Sequence, residues 1–312
     1  MRVAVTGAGG RLGRALVEAL EEAPFTGPLG PIAWRRPAFD LDALTADAAR
    51  VLLERDRPEV VVHSAAWTDV DACARDPGLA MRRNGEAAGI LAAACAAHGC
   101  DLVLVSTNEV FDGTRTDGLG YRPLDPRHPA NPYGASKAAG ETQAEAAWGV
   151  VEEARGAARL AIVRTSWLHG PPGNDFPAKI AAAALRARAA GEPLQVVGDE
   201  IGSPTYTRDV ADAIVELLAE DALTDPGATR AIHHLVNAGR ASRADWAREV
   251  LRVAGIDVPL QEVPGSTWSR ASTPPRWGVL EPTPLPTGEP MRDWREAFAD
   301  AVPALRRSLS TG

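Results

Sequence analysis

The sequence near its amino terminus reads VAVTGAGGRLG at residues 3–13. The apolar run at its start predicts a buried strand, and apolar side chains at helical spacing from Leu12 onward predict a helix after it. Between the two, Gly7, Gly10 and Gly13 form a G-x-x-G-x-x-G pattern. Such a turn lets backbone N–H groups approach a pyrophosphate closely. The stretch therefore predicts an α/β fold with a dinucleotide-binding turn, and a turn that binds nothing is the alternative.

A second apolar run, Ile32–Trp34, is followed directly by Arg35 and Arg36. In folds of this kind the end of the second strand reads the cofactor ribose, where Asp or Glu binds a 2′-hydroxyl and Arg accommodates a 2′-phosphate. The arginines favour NADP(H) over NAD(H). A solvated arginine pair with no role in binding is the alternative.

The other informative stretch reads NPYGASK at residues 131–137. Asn131 is a favoured N-cap and Pro132 suits the first helical position, so a helix is predicted to begin here. Tyr133 and Lys137 then lie four residues apart on one face. We expect the ammonium to lower the pKa of the phenol from its usual value of about 10, which would make the tyrosine a usable proton donor. An exposed helix with an accidental Tyr/Lys pair is the alternative.

Polar and small residues follow the next apolar runs, which predict buried strands of a parallel sheet. Ala65 and Ala66 follow one run, and Thr107 follows another. Because open α/β sheets bind ligands at the carboxyl ends of their strands, we expect Thr107 to face the same pocket as Tyr133. The predicted cofactor-binding residues are Gly7, Gly10, Arg11, Leu12, Gly13, Arg35, Arg36, Asp40, Leu41, Ala65, Ala66, Tyr133 and Lys137.

The order of predicted elements favours an α/β fold of the Rossmann type, a doubly wound parallel sheet with a smaller C-terminal substrate-binding lobe. We predict that residues 1–167, with 204–237 returning to them, form the NAD(P)-binding domain, and that 168–203 and 238–312 form the lobe. Helices are predicted over 77–98 and 174–190. The proline-rich stretch 264–290 is predicted to hold no regular element and to form loops over the pocket.

Composition narrows the function classes. The chain has 312 residues, 45% of them hydrophobic, and a net charge of −8, which fits a globular protein and disfavours non-specific nucleic-acid binding. The three cysteines show no metal-binding spacing, so we expect reduced thiols and no metal site. Without a signal-like leader or a spanning apolar run, we expect a cytoplasmic protein with no membrane partner. A homodimer is left open.

Several segments together resemble the dTDP-4-dehydrorhamnose reductase family of extended short-chain dehydrogenases/reductases. They lie at residues 6–13, 64–71, 110–113, 131–137, 164–167 and 202–205. The resemblance implies NAD(P)H-dependent reduction of the 4-keto group of a nucleotide-linked deoxysugar. It implies catalytic roles for Thr107, Tyr133 and Lys137, and sugar or nicotinamide contacts for Thr68, Val70, Trp167 and Asn174.

One position departs from that family, which usually reads STDYVF where this chain has STNEVF at residues 106–111. Glu109 replaces the sugar-facing tyrosine and is similar to the glutamate of nucleotide-sugar 4,6-dehydratases, although Asn108 cannot serve as their acid. If the strand continues past Thr107, Glu109 points to the same side and would bind a sugar hydroxyl. Pairing with a nearby arginine is the alternative. A dehydratase or epimerase that uses Glu109 stays open, as does a non-catalytic NADP-binding regulatory subunit, against which the retained Thr107, Tyr133 and Lys137 argue.

Overall fold

The computed structural model describes residues 1–153 and 158–310. The strands in chain order are β1 Val3–Thr6, β2 Ile32–Trp34, β3 Val60–His63, β4 Asp101–Thr107, β5 Leu160–Thr165, β6 Leu168–His169, β7 Leu194–Val197, β8 Ile201–Gly202, β9 Thr205–Tyr206, β10 Arg230–His234, β11 Ala241–Ser242, β12 Leu260–Val263 and β13 Trp277–Gly278. The α-helices are α1 Arg11–Glu22, α2 Ala46–Asp56, α3 Val70–Arg75, α4 Pro77–Ala80, α5 Ala87–His98, α6 Pro132–Glu153, α7 Phe176–Ala190, α8 Thr207–Ala219, α9 Arg243–Ala254 and α10 Trp294–Ser310. Shorter helical turns lie at Pro24–Thr26, Met81–Glu86, Asn108–Val110 and Gly265–Thr267.

The largest sheet among the described residues has six parallel strands in the order β10-β5-β4-β3-β1-β2. The prediction of a doubly wound parallel sheet is confirmed. The chain order reverses between β1 and β3, and in such sheets ligands bind in the crevice at the carboxyl ends of the strands where this reversal occurs. The glycine turn follows β1, and the small residues Ala65 and Ala66 follow β3, so both lie at this crevice.

Alternating side chains of the sheet strands fill two separate cores, as a period of two requires. Val3 and Val5 pack with α1 and α8 on one face. Leu102 and Leu104 pack with α5 and with Trp148 of α6 on the other. A sheet covered on both faces needs apolar residues at every position, which explains the nearly continuous apolar runs in the sequence.

A third core lies outside the sheet and joins α7, α9 and α10. Its largest fully buried members are Trp246, Trp294 and Phe298. The strands β7 and β12 pair beside it, whereas β10 belongs to the large sheet through its pairing with β5. The bounds of the two predicted domains stay a prediction.

The structure corrects the predicted elements in three places. The helix predicted over 77–98 is interrupted by a wider π turn at Met81–Glu86. The helix predicted from residue 174 begins at Phe176 because Asp175 caps it and Asn174 takes a φ of 70°, outside the helical region. The proline-rich tail does contain a paired strand, β13, which lies alongside β8 where no proline interrupts the chain.

Two further observations complete the fold. Helix α10, which the sequence analysis did not predict, covers the third core with an apolar face. Within residues 1–153 and 158–310, no helix has both the length and the apolar character needed to span a membrane.

Candidate active site

The glycine turn packs α1 tightly against β1 and β3. Gly7 has a φ of 64°, and a Cβ added to it would lie 2.8 Å from the backbone of Ala65. A Cβ on Gly13 would lie 2.1 Å from the Gly7 carbonyl oxygen, so neither position accepts a side chain. Helix α1 begins at Arg11 with no side-chain cap on its first N–H groups. Such an uncapped helix N-terminus beside bare backbone fits a pyrophosphate.

The predicted ribose-reading residues follow β2, the strand next to β1 in the sheet. Arg35 and Arg36 are exposed. Arg36 Nε pairs with Asp40 Oδ1 at 3.4 Å, and Leu41 packs partly against the sheet core. The Arg35 side chain therefore lies at the carboxyl end of β2, where the sequence analysis placed it.

Thr107, Tyr133 and Lys137 lie together and are buried. Thr107 is the last residue of β4, and its hydroxyl is within hydrogen-bond reach of the Tyr133 hydroxyl. Lys137 Nζ donates to the carbonyl oxygen of Val105, also on β4, at 2.8 Å. The predicted helix start is confirmed, because the Asn131 Oδ1 accepts a bond from the backbone N–H of the third helical residue at 2.9 Å.

The predicted lowering of the tyrosine pKa is wrong for this arrangement. Burial raises the pKa of Tyr133 above its ordinary value, and the nearby Glu109 carboxylate raises it further. The Lys137 ammonium is turned to the Val105 carbonyl, and burial lowers its own pKa to about 8 against the opposing charge of Glu141. The phenol is thus held in its protonated form.

Glu109 reaches this group by a different path from the one predicted. The strand does not continue past Thr107, because the Thr107 hydroxyl accepts a bond from the Glu109 backbone N–H at 3.2 Å and starts a 3₁₀ turn. The Glu109 carboxylate accepts a bond from Asn131 Nδ2 at 2.6 Å. Burial raises its pKa, while Asn131 and the Arg243 guanidinium oppose that rise.

The sequence analysis missed a set of charged residues that faces Glu109. The Arg243 guanidinium stacks on Trp167, with its Cζ 3.5 Å from the ring centre. Glu200 pairs with Arg243 at 3.5 Å and with Arg270 at 2.7 Å. Burial lowers the pKa of Arg243 to about 10, with the charge of Glu200 opposing. The available signals were Arg243 directly after Ser242, a favoured N-cap residue, and Arg270 two positions after Trp268, but neither indicated that these side chains converge.

Glu200, Arg243 and Arg270 line a cavity of about 360 Å³. Its walls are Phe176, Lys179, Ile180, Gln195, Val196, Val197, Glu200, Arg243, Trp268 and Arg270. A larger cavity of about 670 Å³ lies along β10 and β5 and includes none of the predicted site residues. In the part of the chain that the structure describes, no group of three or more His, Cys, Asp or Glu residues is arranged to hold a metal ion.

Three other predicted site residues, Val70, Thr68 and Asn174, differ in how closely they lie to Tyr133 and in their exposure. Val70 packs in the same small apolar cluster as Tyr133, while Thr68 is exposed on the preceding loop. Asn174 is exposed on the loop before α7. The Arg11 side chain turns away from the glycine turn toward that loop, where its Nη2 donates to the Gly173 carbonyl oxygen at 2.8 Å.

Comparison with known protein families decides the relationship. Residues 1–307 match the family model described as the RmlD substrate binding domain. The chain belongs to this family. The match covers both the large sheet and the part of the chain that forms the cavity, and the resemblance stated from the sequence motifs is confirmed.

Individual relatives align with this protein along nearly the whole chain. The dTDP-4-dehydrorhamnose reductase of Streptomyces griseus is 36% identical over 305 residues, covering 96% of this chain and 93% of the relative. A crystal structure of a dTDP-4-dehydrorhamnose reductase from Clostridium acetobutylicum superposes with a TM-score of 0.84 at 28% identity, covering 98% of this chain and all of that one. The enzyme of that name from Bacillus anthracis, solved in complex with NADP, gives a TM-score of 0.79 at 28% identity, covering 96% of this chain and 98% of that one.

Proposed function

We propose that this protein uses NADPH to reduce the 4-keto group of a nucleotide-linked deoxysugar of the dTDP-4-dehydrorhamnose class. The protein is an NAD(P)H-dependent oxidoreductase, as its family and its named reductase relatives indicate. The observation that carries the finer proposal is the buried group of Thr107, Tyr133 and Lys137 at the sheet edge that also bears the glycine turn.

The residues around the glycine turn fit a dinucleotide. Gly7 and Gly13 let α1 pack closely against β1 and β3, where a Cβ would meet the backbone of Ala65 or Gly7, and the first N–H groups of α1 lack a side-chain cap. Arg35 adds a cation at the end of the adjacent strand, where a 2′-phosphate would lie. When bound, NADPH supplies the hydride that attacks the carbonyl carbon.

The side chains of the buried group then serve the oxygen of that carbonyl. Negative charge grows on the oxygen as the carbon is reduced, and donors aimed at it stabilise the transition state. Thr107 and Tyr133 supply two hydroxyl donors within reach of each other. The Tyr133 phenol carries its proton at neutral pH and can transfer it to the more basic alkoxide oxygen, although burial raises its pKa and makes it a weaker acid than a free phenol. The Lys137 ammonium, one helical turn after Tyr133 on α6, donates to the Val105 carbonyl oxygen on the strand that carries Thr107.

The cavity beyond Glu109 suits the nucleotide part of such a substrate. Lys179, Arg243 and Arg270 line it and supply cations for a diphosphate, since charge-assisted bonds to phosphate are among the strongest in proteins. Phe176 and Trp268 offer flat apolar surface for a base. Trp167 stacks under Arg243, one of the residues that line this cavity.

One observation favours a second candidate, a dehydratase or epimerase. The Glu109 carboxyl is buried beside Tyr133 with a raised pKa, as a group that moves protons at a sugar ring would be. Such dehydratases carry an aspartic acid at the position of Asn108, and the amide of Asn108 cannot donate that proton. Reduction is therefore the preferred proposal. A cytoplasmic location, where the three free cysteines would stay reduced, remains a prediction. Assembly into a homodimer remains a prediction as well.

The proposal is tested by NADPH oxidation with a panel of nucleotide-linked 4-keto sugars. We expect turnover by the wild type and a loss of about 10² or more in kcat for Tyr133→Phe, because the proton donor is removed. The dissociation constant for NADPH should change less than about threefold, since the glycine turn and Lys137 remain.

The matched control is Tyr206→Phe, which removes a hydroxyl from a tyrosine whose ring stacks on His169 in the third core. Its kcat should equal that of the wild type. A Tyr133→Phe variant with kcat within threefold of wild type would refute the proposed proton donor.

A further inference from the structure

The Arg11 side chain joins two parts of the chain that are about 160 positions apart. Its backbone forms the first residue of α1, directly after the glycine turn. Its guanidinium donates to the carbonyl oxygens of Gly170 and Gly173 and pairs with Asp175 Oδ2 at 3.1 Å. One residue therefore contacts the proposed cofactor site through its backbone and the loop at 170–175 through its side chain.

The 170–175 loop needs such support because its own backbone is unusual. Gly170, Gly173 and Asn174 all have positive φ, at 131°, 94° and 70°. Glycine adopts such φ values readily, so Gly170 and Gly173 leave the loop with much conformational freedom unless other contacts restrain it. Three acceptors for a single guanidinium provide that restraint.

Asp175 transmits the restraint to helix α7. Its Oδ2 accepts bonds from the Gly170 backbone N–H at 2.9 Å and from Arg11, and its Oδ1 accepts the Ala178 N–H at 3.1 Å and caps the helix. Helix α7 carries Phe176 and Lys179, two walls of the 360 Å³ cavity. The position of the cavity wall is thus fixed to the first turn of α1.

We propose that Arg11 is a positioning residue that couples dinucleotide binding at the glycine turn to nucleotide-sugar binding in the cavity. The identity of the two ligands rests on the proposed function. A pyrophosphate that restrains the first turn of α1 also restrains Arg11, the 170–175 loop and α7. The second ligand then has less conformational freedom to remove when it binds, which gives positive coupling without a large structural change.

The coupling is measured by calorimetric titration of the full-length protein with dTDP, alone and in the presence of saturating NADP⁺, and by the reverse titration. In the wild type, each ligand should tighten the binding of the other by the same factor, about fivefold or more. In Arg11→Gln, the factor should fall to about one, and because it is a ratio of affinities measured in the same variant, it reports coupling separately from any loss of basal affinity. Asp175→Asn should lose the coupling similarly, and the double variant should lose no more than either single one.

The matched control is Arg14→Gln. Arg14 lies one turn further along α1 and is exposed, and its Nε donates to the carbonyl oxygen of Gly9, five positions earlier in the chain, at 2.9 Å. This variant should retain the wild-type coupling factor. The proposal is overturned if the wild type shows no coupling between the two ligands, or if Arg11→Gln keeps it.

Hydrogen exchange separates failure of this inference from failure of the proposed function. If neither dTDP nor NADP⁺ binds the wild type, the proposed function fails, and the contact is judged by exchange at the Gly170 and Ala178 amides. Arg11→Gln should accelerate both by about tenfold or more, since local opening becomes easier, and Arg14→Gln should not. Equal exchange in Arg11→Gln and wild type would overturn the role of Arg11 in holding this loop.

Discussion

At the scale of the residue, Glu109 distinguishes this site from the STDYVF pattern. It is a carboxylate bonded to the helix-capping Asn131 and lies next to the phenol of Tyr133. The alternative, in which Glu109 pairs with an arginine, is met only in part. The Arg243 guanidinium acts to lower the pKa of Glu109, but its ion pair is with Glu200. The second oxygen of the Glu109 carboxylate, Oε1, is therefore the atom that would accept a hydrogen bond from a ligand in the site.

We predict that Glu109→Gln raises KM for the accepted keto-sugar by about tenfold or more and lowers kcat less. A hydrogen bond from a sugar hydroxyl to a charged group contributes roughly 1.5 to 3 kcal/mol, and the amide substitutes for it poorly. Steady-state kinetics provide the measurement, with exposed Glu86→Gln as control. An unchanged KM would exclude contact with the substrate, and a collapse of kcat alone would point to proton transfer of the dehydratase or epimerase kind.

At the scale of the element, strand β2 positions the residues on which the predicted cofactor preference depends. It ends at Trp34, which is buried, so the next residue is the first to leave the sheet edge. The two arginines that follow are not equivalent, because Arg36 is paired with Asp40 whereas Arg35 is exposed at the strand end. The strand therefore presents Arg35 as the residue best placed to meet a 2′-phosphate.

The resulting prediction is tighter binding of NADPH than of NADH, with Arg35→Ala removing at least about tenfold of that preference. A guanidinium-to-phosphate bond contributes roughly 1.5 to 3 kcal/mol, and only NADPH offers the phosphate. Fluorescence titration of both cofactors gives the ratio. The control is Arg55→Ala, which removes an exposed arginine already paired with Asp56. Equal discrimination in Arg35→Ala and wild type would contradict the assignment.

At the scale of the whole molecule, three buried histidines are expected to make the free energy of unfolding depend on pH. Burial lowers the pKa of His63, His169 and His234 to about 3 in each case, and neighbouring cations assist. Both ring nitrogens of His169 lack a hydrogen-bond partner within residues 1–153 and 158–310. The unfolded chain binds protons at these groups below its ordinary histidine pKa of about 6.5, while the folded protein does not.

We therefore predict that stability is highest above pH 6.5 and falls as the pH is lowered from about 6.5 toward 3. Each fully buried histidine contributes at most about 1.4 kcal/mol of unfolding free energy per pH unit. Urea unfolding at pH 7, 6 and 5 measures the slope, and His169→Phe should reduce it because the apolar ring cannot bind a proton. Exposed His98→Gln is the control, and an identical slope in His169→Phe would contradict the account.

The sequence by itself determined the features that depend on local pattern. The apolar runs, the glycine turn and the Asn131-Pro132 start of α6 each specify an element within a few residues, because backbone preference and side-chain period act locally. The strand edges that carry Ala65, Thr107 and Arg35 follow from the same rules. Parallel strands covered on both faces leave only their carboxyl ends open, so the general place of the site was also readable.

Only the tertiary structure decided how side chains from distant segments meet. Arg243, Glu200 and Arg270 converge on the cavity through contacts that no spacing in the sequence indicates. The direction of Arg11 and the raised pKa of Tyr133 likewise depend on which groups pack around them. Charge and burial act through space rather than along the chain, so the folded arrangement alone sets the protonation of the phenol and the link between the glycine turn and α7.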